Sequence, residues 1–227
     1  IPHQTKASAK ISTNTLLTIR RVALARAPRI GQISTSKWAE SRTPTIACFT
    51  NYMWNDRLSC AFARAIKQRH PNVVIVMGGP NYPVDASEQQ DHLERHPEID
   101  FFVDGEGELP FVELFHALEQ KDFDAQRLRD TGVRLPSVHY VVDGMLVRGD
   151  ALPRNLDLDR TLPSPYTMGL LDEFFDDRLT PMIQTSRGCP YACTFCHDGI
   201  AYMNKTRTFS AERVREKLAY IETRVRT

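Results

Sequence analysis

Cysteine is scarce in this sequence, five in 227 residues, and the five are not spread as a disulfide framework spreads them, because three fall within eight positions. A stapled secreted scaffold is thereby excluded, and a reducing compartment, the cytoplasm, is the expectation. Long apolar runs are missing as well. No window approaches the roughly 18 uncharged apolar residues of a membrane-spanning helix, and the N-terminus lacks the charged-then-apolar pattern of a signal peptide. An excess of one charge sign is absent: 29 Lys and Arg stand against 28 Asp and Glu, a formal balance of +1, so composition points to neither nucleic acid nor membrane as partner. What is present, 41% hydrophobic and 25% charged residues, is the make-up of a soluble globular chain long enough for one large domain or two smaller ones.

The dense cysteines stand in Ser186-Arg187-Gly188-Cys189-Pro190-Tyr191-Ala192-Cys193-Thr194-Phe195-Cys196-His197, spaced C-x3-C-x2-C. Three close thiolates without a fourth cysteine nearby suit a [4Fe–4S] cube that keeps one iron open. Gly188 and Pro190 flank the first cysteine and favour turns around such a cube. The apolar, β-branched stretch from Leu179 to Thr185 reads as the strand that feeds the loop. A Cys3His zinc site using His197 is chemically allowed, though adjacent Cys196 and His197 are awkward tetrahedral partners. A simple ferredoxin wants a fourth cysteine at its own spacing. Cys48 and Cys60 read as buried small hydrophobes.

The rest of the chain alternates strand and helix patterns. Residues 1–14 are polar and irregular, and Leu16, Leu17, Ile19, Val22, Ala23 and Leu24 give a partly helical pattern. Thr45 to Thr50 is an apolar strand, Leu58 to Arg69 a helix capped by Asn55 or Asp56, and Val73 to Met77 a second buried strand closed by Gly78-Gly79-Pro80. A helix near Ser87 to Glu94 precedes a third strand, Ile99 to Val103, which runs into Asp104-Gly105-Glu106-Gly107-Glu108 and a helix over Phe111 to Leu118. This βαβ order predicts a parallel sheet whose C-terminal loops line a ligand crevice. His92, His96 and His116 read as ordinary surface or core histidines. Val138 to Val142, Asp143-Gly144 and Met145 to Val147 form a β-hairpin pattern. Prolines 153, 163 and 165 mark a connector with a short helix around Leu170 to Phe175. Ala211 to Val225 is an amphipathic helix with Ser210 at its N-cap.

C-x3-C-x2-C with Phe195 before the third cysteine resembles the signature of radical S-adenosylmethionine (SAM) enzymes. Thr50-Asn-Tyr-Met-Trp-Asn55, Gly78-Gly79-Pro80 and Asp104-Gly-Glu-Gly-Glu108, in that order ahead of the cysteines, are similar to the cobalamin-dependent branch of that family, over about residues 45 to 227. Pro163-Ser-Pro-Tyr166 and Gly169 to Phe175 resemble its linker wording. The resemblance implies that Cys189, Cys193 and Cys196 ligate iron and that the open iron binds SAM, near Phe195. An electron from the cluster then splits the sulfonium to a 5′-deoxyadenosyl radical, the cofactors doing the hard chemistry. It also implies that Thr50, Tyr52, Trp54, Gly78, Gly79, Gly105, Glu106, Gly107 and Glu108 lie near a corrin. The Asp-x-His-x-x-Gly motif that supplies a cobalt-ligating histidine in other cobalamin proteins is absent, which fits base-off binding in this branch. Thr50 stands where the serine of a Ser-x-Leu pattern would.

The fold expectation is therefore α/β. An incomplete segment over 1–44 leads to a Rossmann-like cobalamin domain over 45–121, a linker with a hairpin over 122–178, and over 179–227 the truncated start of a (β/α) radical SAM barrel. Ile1 is not an initiator methionine and Thr227 falls in a helical pattern, so both ends are expected to be cut and the chain alone is not expected to turn over. The reaction implied is methyl transfer to an unactivated carbon or to phosphorus, with a small-molecule substrate and an electron donor such as flavodoxin or ferredoxin. A radical cyclase or rearrangement enzyme is the alternative within the class, and a non-catalytic zinc- or cobalamin-binding module the alternative outside it.

Overall fold

The computed structural model describes residues 23–24, 45–176, 179–196 and 205–225, in two compact units, one ending at Pro153 and one running from Arg154. The first unit is built on a six-stranded sheet in the sequential order β1 (Ala23–Leu24), β2 (Ile46–Thr50), β3 (Val74–Gly78), β4 (Phe101–Val103), β5 (Val138–Val142) and β6 (Met145–Arg148). The first four strands pair in parallel, and β5 pairs antiparallel with both β4 and β6. Helices α1 (Asp56–Arg69), α2 (Ala86–Arg95), α3 (Glu108–Glu119) and α4 (Ala125–Arg129) supply the crossovers and the cover.

Alternation along the strands explains the two layers. Ile46, Val74, Val76, Phe101 and Val103 point to a core closed by Leu114 and Leu118 of α3 and Leu128 of α4. Ala47, Phe49, Ile75, Met77 and Phe102 point to the opposite core, closed by Cys60 and Ala63 of α1 and Leu93 of α2. A strand apolar on both faces, as β3 is, needs a helix on each side, and the βαβ connections provide them.

The expected all-parallel sheet is in fact mixed. The hairpin expected in a linker extends the sheet: Val138 and His139 pair with Val103 and Phe102 of β4, and Val138, His139 and Tyr140 are buried. The three-residue β4 would otherwise leave an open apolar edge, which β5 covers, and Asp143 (φ 50°) and Gly144 (φ 69°) supply in the left-handed region the tight turn from β5 to β6. Ala23–Leu24, expected as part of a helical pattern, forms a short strand parallel to β2, its backbone completing that strand's free side. The rest of that pattern lies outside the described residues.

Asp100, just ahead of β4, is a buried charge. The Asp100 carboxylate accepts a hydrogen bond from the Ile75 amide at 2.7 Å and pairs with Lys67 of α1 at 2.6 Å and Arg129 of α4 at 3.5 Å. Removing it leaves two cations facing a buried, unpartnered amide. Asp100→Ala is therefore expected to lower the unfolding free energy by about 3 kcal/mol, read from the urea midpoint at unchanged slope. A midpoint equal to that of the parent protein contradicts this account.

The second unit contains α5 (Leu158–Thr161), a 3₁₀ turn at Asp172–Phe174, a two-stranded antiparallel ladder of β7 (Ser186–Arg187) and β8 (Arg207–Thr208), and α6 (Ala211–Glu222). Ser210 caps α6 as expected, its side chain accepting from the Arg213 amide. The strand expected over Leu179 to Thr185 is not a ladder strand. Its Met182 amide and carbonyl both bond the Tyr166 hydroxyl, at 3.0 and 2.8 Å, and among the described residues no parallel strand lies beside it. The proline-marked connector folds with this unit: Tyr220 donates to Asp172 at 2.8 Å, and Arg224 pairs with the same carboxylate at 3.2 Å.

Candidate cofactor sites

In the first unit the strand ends gather most of the residues singled out from the sequence. Thr50 lies opposite Gly78 in the ladder, and Gly78 opposite Val103, so the loops after β2, β3 and β4 leave the same sheet edge side by side. That edge is where open α/β sheets bind ligands.

The loop after β2 is fastened from within. Asn55 occupies the N-cap of α1 but makes no cap bond. Its carboxamide instead accepts from the Tyr52 amide and donates to the Thr50 hydroxyl, each at 2.7 Å. Ser59 of α1 donates to the Thr50 carbonyl at 2.8 Å. Thr50 is thus a positioning residue, its hydroxyl spent on holding the turn. What the turn presents is apolar: Tyr52 and Trp54 stack with centroids 4.6 Å apart at 16°, and Trp54 is 76% exposed beside an equally outward Met53. Exposed stacked aromatics at a strand-end crevice form a platform for a flat ligand.

The backbone around Gly79 explains why this position is glycine. Its φ is +139°, and a Cβ there would stand 2.4 Å from the Asn51 carbonyl oxygen. The position is glycine so that the Asn51 backbone can cross it, and the close approach is between two loops of the protein. Asn51, within the Thr50 to Asn55 stretch, is the buried hub of this crossing. Its amide donates to the Gly78 carbonyl at 2.7 Å, its carbonyl accepts from the Asn81 amide at 3.1 Å, and its side-chain oxygen accepts from Asn81 Nδ2 at 3.0 Å. The Asn51 Nδ2 is buried with no acceptor among the described residues. A lone asparagine between Thr50 and Tyr52 carries no sequence signal of this role.

The loop after β4 begins at the exposed Gly105, with φ 75°. It ends at Gly107, which takes the N-cap position of α3, while Glu106 and Glu108 are half-buried. Glu108 in the first turn is favourably placed against the helix dipole.

In the second unit the cysteine loop leaves β7 through Gly188, whose φ of 88° turns the chain in the left-handed region. Cys189 is half-buried, and Cys193 and Cys196 are exposed. The Cys196 amide donates to the Cys193 carbonyl at 3.2 Å, closing a turn between these two thiols. Phe195 is 92% exposed. His197, the nitrogen donor of the zinc alternative, lies outside the described residues. The other two cysteines are of another kind: burial pushes the Cys48 thiol up to about 12, and burial together with the negative charge of Asp56 pushes Cys60 up to about 11. Among the described residues no helix is long and apolar enough to cross a membrane.

No protein-family model matches the chain. Among curated proteins it is 35% identical over 184 residues to a 2-(S-pantetheinyl)-carbapenam-3-carboxylate methyltransferase of Streptantibioticus cattleyicolor, with 78% of this chain and 25% of that protein covered. It is 33% identical over 188 residues to the cobalamin-dependent radical SAM methyltransferase TokK of Streptomyces tokunonensis, at the same shares. An anaerobic magnesium-protoporphyrin IX monomethyl ester cyclase of Synechocystis is 32% identical over 152 residues, 60% of this chain and 26% of that protein. The chain spans about a quarter of the length of these relatives. On the cysteine signature, the α/β sheet and this kinship, the chain belongs to the cobalamin-binding radical SAM enzyme family.

Proposed function

We propose that this chain is part of a radical SAM methyltransferase that uses a [4Fe–4S] cluster, SAM and cobalamin to methylate an unactivated carbon or a phosphorus centre of a small molecule, fed by a reducing donor such as flavodoxin or ferredoxin. The observation that carries the reading is the turn from Gly188 to Cys196, which holds one half-buried and two exposed cysteines with no fourth cysteine beside them. That donor set suits a cube with one iron left for a substrate-like ligand. When bound, the cluster supplies the electron that cleaves SAM, and cobalamin carries the methyl group.

The chain's own residues do the holding. Cys189, Cys193 and Cys196 ligate iron, Gly188 and the turn at Cys193 aim the thiols outward, and Phe195 stands by the SAM position. In the first unit, Tyr52 and Trp54 would hold the corrin and keep water from it. The Gly78-Gly79 and Gly105 to Glu108 loops border it, and Thr50, through Asn55, keeps the aromatic turn in register. Residues 179–227 form the opening of a barrel in this reading, with residues 45–121 as the corrin domain. A radical cyclase is the second reading, supported by the 32% identity to the ester cyclase.

The test is the content of iron, sulfide, cobalt and zinc in protein produced with cobalamin and purified without oxygen. The expected result is about four iron and four sulfide per chain, with cobalt alongside. Zinc without sulfide overturns the reading and makes the loop a structural site.

A further inference from the structure

The first unit holds a second group of metal-ligating side chains, remote in sequence from the cysteine loop. On the α1 and α2 face of the sheet, Cys60 Sγ, a ring nitrogen of His96 and a Glu98 carboxylate oxygen all lie within 4.8 Å of one another. Cys60 comes from the buried face of α1 and is 1% exposed. His96 is the C-cap of α2, and Glu98 lies in the turn that enters β4. A residue of α1 and two residues of the turn from α2 into β4, 36 and 38 positions further on, thus converge on one point.

An ion-pair network explains part of this arrangement. Glu98 Oε1 accepts from Arg64 Nε at 3.0 Å and lies 3.2 Å from His96 Nδ1. Two features lie beside these ion pairs. The buried Cys60 thiol donates to the Asp56 carboxylate at 3.9 Å, and its sulfur also lies within 4.8 Å of the Glu98 oxygen. The Nε2 of His92 is buried with no partner among the described residues, and its ring lies 4.9 Å from that of His96. His92 and His96 are one helical turn apart, the spacing at which two imidazoles share a face. Sulfur, imidazole and carboxylate together make a soft-to-borderline donor set, unlike the all-oxygen shells of magnesium and calcium.

We propose that Cys60, His96 and Glu98 bind a divalent transition metal of the zinc class, with His92 supplying the fourth donor. Drawing the three donor atoms, which lie within 4.8 Å of one another, onto one ion takes shifts of about 1 Å; the His92 ring turns toward it, and the Cys60 thiol gives up its proton to solvent on binding. Arg64 leaves Glu98 Oε1 for solvent, which its half-exposed side chain permits. The bound metal clamps α1, the end of α2 and the start of β4. It is thus a structural site on the face of the sheet covered by α1 and α2, not part of the strand-end crevice.

The experiment uses the full, untagged chain carrying Cys189→Ala, Cys193→Ala and Cys196→Ala, so that the loop holds neither cluster nor zinc. Titration with Co²⁺ is expected to load one ion per chain, with thiolate-to-cobalt absorption in the near ultraviolet and tetrahedral bands in the visible. Zn²⁺ in excess erases both. Adding Cys60→Ser removes the near-ultraviolet absorption, and adding Glu98→Gln, which keeps the side-chain volume, weakens Co²⁺ retention at least about tenfold, since even changing an outer-shell partner costs about 10–100-fold. Circular dichroism establishes that each variant is folded. Failure of the folded parent to retain Co²⁺ overturns the proposal, as does near-ultraviolet absorption that persists in folded Cys60→Ser.

Discussion

Cys193→Ala is expected to strip the protein of its cluster, with iron and sulfide falling to no more than about a tenth of the parent content, since a [4Fe–4S] cube with one open iron has no ligand to spare. The size of the effect follows from position. Cys193 is the middle cysteine, exposed at the surface of the loop, and its carbonyl anchors the turn that carries Cys196. An exposed side chain contributes little to the core, so Cys193→Ala leaves the urea midpoint of the first unit where it was. Loss of iron at constant stability is therefore the diagnostic pair of results. Full iron and sulfide content in Cys193→Ala contradicts the ligand assignment outright.

Gly79→Ala is expected to destabilise the first unit by about 3 kcal/mol and to abolish any cobalamin-induced change in the visible spectrum. Two costs add: a non-glycine residue at φ +139° is strained by about 1–3 kcal/mol, and its Cβ would stand 2.4 Å from the Asn51 carbonyl oxygen. Relief requires the Asn51 backbone to retreat, and Asn51 directly precedes the Tyr52–Trp54 stack. The substitution thus links fold to site. Gly144→Ala is the control, since that position is also left-handed but an added Cβ meets nothing within 4 Å. Its cost is the conformational one alone, about 1 kcal/mol. Equal costs for the two substitutions would remove the loop crossing from the account.

Local periodicity in the sequence carried much of this architecture. The strands at Ile46–Thr50 and Val74–Gly78 lie within a residue or so of their apolar runs, and the Asp143-Gly144 turn is the hairpin its residue types require. These elements are legible because a strand's alternation, a turn's φ demand and a helix cap are satisfied by neighbours in sequence. The stretch from Leu179 to Thr185 shows the limit. It has strand-forming composition, but a strand also needs a partner, and there the hydrogen bonds of Met182 go to the Tyr166 hydroxyl.

The site divides in the same way. The sequence by itself determined the family and marked the three loop cysteines, because C-x3-C-x2-C places three thiols within a single loop, where spacing alone constrains chemistry. It also marked Tyr52, Trp54 and the strand-end glycines as residues of interest. Only the tertiary structure decided that Gly79 yields to Asn51, that Thr50 and Asn55 hold the aromatic turn, and that the hairpin seals the edge of β4. It alone brought Cys60 beside His96 and Glu98. The loop crossing and the Cys60, His96 and Glu98 group join residues 28 to 38 positions apart, and the hairpin pairs with β4 across 35 to 37 positions. They are set by the register between strands and by helix packing against the sheet, which no local pattern encodes.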